Sequence, residues 1–173
     1  MFVSTHALLG IVISQHVNNV PVAFGLGLLS HYILDMIPHG DESIGQWVKK
    51  RPLRGFIITI SAEIILLSSF IITVHLKHEW PRANVALAGL MGAILPDILW
   101  YSYDFYRHYL VKRYPKSQKI IRDILKLENF FEHHSRLHAW FHQVAKKRIN
   151  FFAGIVVQGV IVFLLLLLAV RAA

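Results

Sequence analysis

The chain has 173 residues, of which 55% are hydrophobic and only 16% charged, and its formal net charge is +8. A soluble domain of this length cannot hide so much apolar surface, so lipid is the expected solvent for much of it. The lack of cysteine excludes disulfides, thiolate metal sites and cysteine nucleophiles.

In chain order, Phe2 to Gln15 and Val20 to Ile37 are apolar stretches parted by His16, Val17, Asn18 and Asn19 and by Pro21. They predict a helical hairpin over 2–37, whose first arm, at about 21 Å for 14 residues, is short for a full crossing. The start carries Ser4, Thr5 and His6 where a secretory signal would carry basic residues, so it is read as retained. Gly55 to Leu76, broken only by Glu63, predicts a span at 55–76. Asn84 to Tyr103 is apolar apart from Pro96 and Asp97 and predicts a span at 84–103, and Asn150 to Val170 predicts another at 150–170. Segment 104–148 is polar, basic and aromatic. Within it Ile120, Ile121, Ile124, Leu125, Leu127, Phe130 and Phe131 recur at helical spacing, as in an amphipathic helix lying on a membrane. The expected fold is all-α: one integral membrane domain over 1–173, with four to five membrane segments and an amphipathic cytoplasmic helical segment.

Basic residues set the expected orientation. Fifteen of the eighteen Lys and Arg flank the loop at 40–54 or fall between Arg107 and Arg148, leaving only Lys77, Arg82 and Arg171 elsewhere. The positive-inside rule then makes those two regions cytoplasmic in a multi-pass inner-membrane protein, with the N-terminus inside and the C-terminus outside. Nucleic acid is not the expected partner, because no reader motif accompanies the charge.

That topology gathers the titratable residues at one face. His31 and Asp35 close the second helix at i, i+4, a spacing that lets two side chains share a metal ion. His39 is too far along a straight helix to join them, but Pro38 lets the chain turn and bring His39 and Asp41 back. Alternatively, Asp35 bridges two ions. Asp97 and His6 reach the same face, as does the row His134, His138 and His142, while Glu63 lies at a similar depth. The metal-ligand candidates are therefore His6, His31, Asp35, Asp97, His134 and His138, with His39, Asp41 or Glu63 as a base. Nitrogen and oxygen donors suit one or two divalent ions, zinc or manganese first. The competing readings are a buried hydrogen-bonded His31–Asp35 pair that only fixes packing, a proton-bearing packing role for Glu63, and a solvated histidine face at 134–142.

THALLG, LLSHYILDMIPHGDE, GAILPDILW and HHSRLH together resemble membrane-bound metal-dependent hydrolases of bacterial and archaeal families. The resemblance implies ligands at His6, at Asp97, at His133 or His134 with His138, and at His31 with Asp35. The sequence departs from those families in having Leu99 where a second aspartate is usual and in lacking Gly and Thr around the histidine pair. A weaker likeness, in the HxxxD spacing, is to zinc-dependent phospholipases C. The expected function is metal-dependent hydrolysis at the cytoplasmic face of a lipid-borne ester or phosphoester, with Arg51, Arg54 and Arg136 holding an anionic headgroup. The alternatives are an ion carrier using the same cluster, which in so short a chain calls for a homo-oligomer, and a non-catalytic structural membrane protein.

Overall fold

The computed structural model describes residues 1–40, 50, 52–77, 82–114, 127–144 and 149–171, and every regular element among them is helical. Helix α1 covers Val3–Gln15 and α2 covers Val20–Asp35. The turn between them ends at Asn19, whose Oδ1 accepts the amide of Val22 at 3.1 Å, and Pro21 sits in the first turn of α2. Both choices favour a helix start. Helix α3 runs Pro52–Lys77 and α4 runs Ala83–Phe105. Past the Tyr103 boundary expected from sequence, α4 continues through a π-helical turn, Tyr106–Leu110, into Val111–Arg113. The aromatic residues of that stretch do not mark an end. Tyr103 is buried and stacks on Phe131 with ring centroids 5.3 Å apart, so it docks the next helix. Helix α5 covers Glu128–Gln143, and α6 covers Phe151–Arg171. Asn150 opens α6 by accepting the amide of Ala153 at 2.8 Å.

Three helices are long and apolar enough to cross a membrane, the candidate spans being Leu53–Ile72, Ala83–His108 and Phe151–Ala169. Ile57, Ile64, Ile65 and Ile72 of α3 and Phe152, Val156, Phe163 and Leu164 of α6 are exposed, a belt of apolar side chains that suits lipid. Helices α1 and α2 are apolar but shorter.

Because lipid removes most of the hydrophobic drive between helices, close backbone approach must hold the centre together. Gly10 of α1 and Gly27 of α2 both press on the carbonyl of Gly89 in α4, and Gly92 meets the backbone of Phe24. The Ser14 hydroxyl points at the carbonyls of Gly10 (2.7 Å) and Val85 (3.1 Å). Gly10 facing Gly89 and Ser14 facing Val85 make α1 antiparallel to α4. Gly27 by Gly89 and His31 by Ala93 make α2 parallel to it. A side-chain core of Ala7, Leu8, Ile11, Val12, Leu90, Ile94, Leu165 and Ala169 joins α1 and α4 to α6, with Leu67, Phe70 and Ile71 of α3 packed against it.

One level across this bundle is polar. Glu63 of α3 accepts the amides of Val3 (3.2 Å) and Ser4 (2.8 Å), two of the donors that a helix start leaves without an intrahelical partner. Gln158 of α6 accepts the amide of Phe2 at 2.8 Å and donates to the carbonyl of His39 at 3.1 Å. The start of α1, the end of α2, Glu63 and Gln158 therefore lie at one height, where α1 begins and α2 stops.

Candidate metal centre

Asp35 is the hub of that layer. Its Oδ1 faces His6 Nε2 at 3.1 Å and the α-amino group of Met1 at 3.1 Å. Its Oδ2 faces three imidazoles: His31 Nε2 at 3.0 Å, His138 Nε2 at 3.3 Å and His142 Nε2 at 3.2 Å. Among the described residues none of these contacts has the geometry of a regular hydrogen bond to Asp35 Oδ2. Asp97 adds the second carboxylate, its Oδ1 lying 3.3 Å from His138 Nε2 and 3.9 Å from His31 Nε2. Its Oδ2 is buried and, among the described residues, has no hydrogen-bond partner. His6, His31, Asp35, Asp97 and His138 are all at least 97% buried. Buried carboxylates are costly unless positive charge faces them, from protonated imidazoles or from a bound cation.

The local chain explains how these groups come to point at one spot. On α2, His31 and Asp35 occupy the same face one turn apart. The chain then leaves the helix, with Ile37 still bonded to Leu34 at 2.9 Å and Gly40 at φ +72°, a conformation natural to glycine. This turn buries His39 against α6, where Gly154 leaves room for the His39 carbonyl. On α4, Pro96 has no amide to offer the Gly92 carbonyl, and the neighbouring Ala93 carbonyl faces His31 Nδ1 at 2.7 Å. Because a carbonyl only accepts, Nδ1 carries the proton and Nε2 presents its lone pair inward. His39 repeats the device, Nδ1 donating to the Ile37 carbonyl at 2.6 Å. Metal-ligating histidines are commonly oriented by such second bonds. On α5, His138 is buried beneath Trp100, with the rings stacked at 5.5 Å, while Tyr32 and Phe141 pack at 4.7 Å.

His31, Asp35, Asp97 and His138 can hold a metal ion, since one ligand atom from each lies within 4.8 Å of all the others. Donors at 2.0–2.1 Å from a tetrahedral ion stand about 3.3–3.4 Å apart. The two imidazoles lie 3.2 Å apart, and each lies 3.0 to 3.9 Å from both carboxylates, which is the scale of a coordination shell. His138, outside the candidate spans, is held above the ordinary histidine pKa: burial pulls it down, and Asp35 and Asp97 outweigh burial. His134 is lowered by burial and by the neighbouring His138.

The remaining sequence candidates fall at different distances from this shell. His6 is stacked on His31 with centroids 4.0 Å apart and touches the outer oxygen of Asp35, so it stands behind the four rather than among them. His134 stacks on His138 at 6.0 Å and is half-buried, outside the four-residue set. His133 is exposed and bonds the Asn129 carbonyl at 2.7 Å. Glu63 is engaged with the start of α1, as described. Arg54 and Arg136 are exposed, Arg136 lying 3.7 Å from Glu132. Asp41 and Arg51 lie outside the described residues, as do 115–126 and 145–148 of the segment expected to be amphipathic. Two residues gained importance that sequence reasoning did not give them. His142, passed over as a solvated helix histidine, touches Asp35, and its place in the i, i+4, i+8 row was the available signal. Gln158, a lone amide in an apolar run, carried no ligand chemistry to attract notice. Comparison with known protein families, with curated proteins and with solved structures gives no match for this chain.

Proposed function

We propose that the chain is a membrane-embedded metal-dependent hydrolase acting on a lipid-borne ester or phosphoester, as the families it resembles are expected to be. The observation that carries this reading is the convergence of His31, Asp35, Asp97 and His138, drawn from three helices, at coordination-shell spacing. Zinc or manganese is the expected ion, since half of the donors are imidazole and none is sulfur. Bound there, such an ion would supply Lewis acidity, lowering the pKa of water enough to give a nucleophile at neutral pH. The chain's own groups do the rest. His31 is locked by the Ala93 carbonyl, His6 steadies Asp35 Oδ1, and Asp97 stands beside His138 Nε2 as the second carboxylate ligand.

In the membrane, α3, α4 and α6 cross fully. The α1–α2 hairpin runs from the outer face to the polar layer, giving four to five membrane segments. Helix α5 lies along the cytoplasmic interface with His138 turned inward. The basic regions face the cytoplasm, with the N-terminus inside and the C-terminus outside. Substrate then approaches from the inner leaflet, where Arg54 and Arg136 are exposed to a headgroup.

The test is turnover of chromogenic phosphodiesters and of short-chain ester lipids by detergent-purified protein loaded with zinc or manganese. Hydrolysis that stops with a chelator, returns with the ion and is lost in Asp97→Asn is the expected result. Equal turnover by wild type and Asp97→Asn, or none on any substrate by metal-loaded protein, contradicts the reading.

A further inference from the structure

Asp35 belongs to a second convergence that the hydrolase reading has not used. His39 and His142 each place a ring nitrogen within 4.8 Å of the other and of an Asp35 oxygen. We infer that Asp35, His39 and His142 form a second divalent-cation seat, sharing Asp35 with the first. The inference rests on the metal-centre reading and extends it from one ion to two.

His31, Asp35 and His39 form one row at intervals of four, bent at its end by the turn at Pro38. His134, His138 and His142 form another along α5. The rows match rung by rung. His31 meets His138 with Nε2 atoms 3.2 Å apart, and His39 meets His142 with ring centroids 4.9 Å apart. Asp35 lies between the rungs and contacts both, with His138 Nε2 at 3.3 Å and His142 Nε2 at 3.2 Å. A carboxylate so placed can serve two ions about 3.5–4 Å apart.

Each member is prepared for this role. His39 is buried at a loop where an exposed histidine would be ordinary. Its Nδ1 proton goes to the Ile37 carbonyl, which leaves Nε2 as the nitrogen free of that bond, 2.8 Å from the Met1 α-amino group. Its main chain is gripped by Gln158 and by the close approach of Gly154. The Met1 nitrogen also lies 3.1 Å from Asp35 Oδ1. The His142 side chain is 29% exposed, so this seat is the more open of the two and faces the side from which ligands arrive. With two imidazoles among three donors it selects zinc, manganese or iron over magnesium or calcium. Paired ions stabilise the attacking and leaving oxygens of an in-line displacement together, which favours a phosphoester over a carboxylic ester as substrate.

The experiment loads full-length, detergent-purified protein with zinc alone and counts bound metal by mass spectrometry after dialysis. Wild type should hold two equivalents, and His39→Ala/His142→Ala should hold one. Wild type and variant both holding a single equivalent would overturn the second seat and leave the first standing, whereas no metal in the wild type would remove both. Electron paramagnetic resonance of the manganese-loaded wild type gives an answer independent of the variants' folding. A spin-coupled pair signal is expected, and two equivalents showing only the spectrum of isolated ions overturn the inference.

Discussion

The Nδ1–H of His31 donates to the main-chain carbonyl of Ala93 at 2.7 Å, tying the polar end of α2 to the turn of α4 that holds Pro96. This bond separates two roles of one side chain: Nδ1 holds helices together and Nε2 faces the carboxylates. Gln at position 31 offers an amide donor to Ala93 but no imidazole nitrogen to a metal. His31→Gln should therefore keep a melting temperature near that of wild type while zinc affinity falls by at least about a hundredfold, beyond the loss typical of an outer-shell change. Calorimetric titration and thermal unfolding in the same detergent check this. Undiminished zinc affinity in the variant would return His31 to a packing role.

Glu63 offers a second separation. Both of its oxygens accept amides at the start of α1. Glu63→Ala should lower stability by about 1 kcal/mol, as loss of a helix cap does. Glu63→Gln, which keeps one accepting oxygen, should be milder, and bound metal should be unchanged in both. Loss of metal or of turnover in a stably folded Glu63→Gln would instead make this carboxylate part of the chemistry.

Packing at the centre should be intolerant of a single methyl group. A Cβ at Gly89 would collide with Ser14 Oγ and with the Gly10 backbone, whereas one at Gly25 would meet nothing within 4 Å. Gly89→Ala should cost about 1–3 kcal/mol, the range for overpacked cores. Gly25→Ala should be neutral. Thermal unfolding of the two variants side by side decides it, and equal melting temperatures would contradict the close α1–α2–α4 contact.

The proposed orientation can be read with thiol labelling, since the chain has no cysteine of its own. A cysteine at Val144 should be shielded from a membrane-impermeant maleimide in intact cells and react after permeabilisation. One at Arg82 should react without permeabilisation. The reverse pattern would invert the topology.

Much of this arrangement was legible in the residues, because lipid imposes a simple length and hydropathy rule on α3, α4 and α6. The hairpin over α1 and α2 was legible too, through Asn19 and Pro21. The extension of α4 past Tyr103 was not, since aromatic residues serve equally as an interface belt and as a docking face for Phe131. For Glu63 the sequence showed a carboxylate at the right depth but not its partners, which are main-chain amides without a signature. The His31–Asp35 pair and Asp97 announced themselves as ionisable groups in apolar helices. Choosing among His134, His138 and His142 required the rotation of α5, which Trp100, Phe131 and Phe141 set through contacts distant in sequence.

The most direct measurement of the central claim is elemental analysis of detergent-purified protein beside the His31→Ala/Asp35→Ala variant, with circular dichroism to confirm that both are helical. The account predicts near-stoichiometric divalent metal in the wild type and its loss in the folded variant. Absence of metal from the wild type after incubation with zinc and manganese would contradict it, and would leave Asp35 as the hub of a packing network.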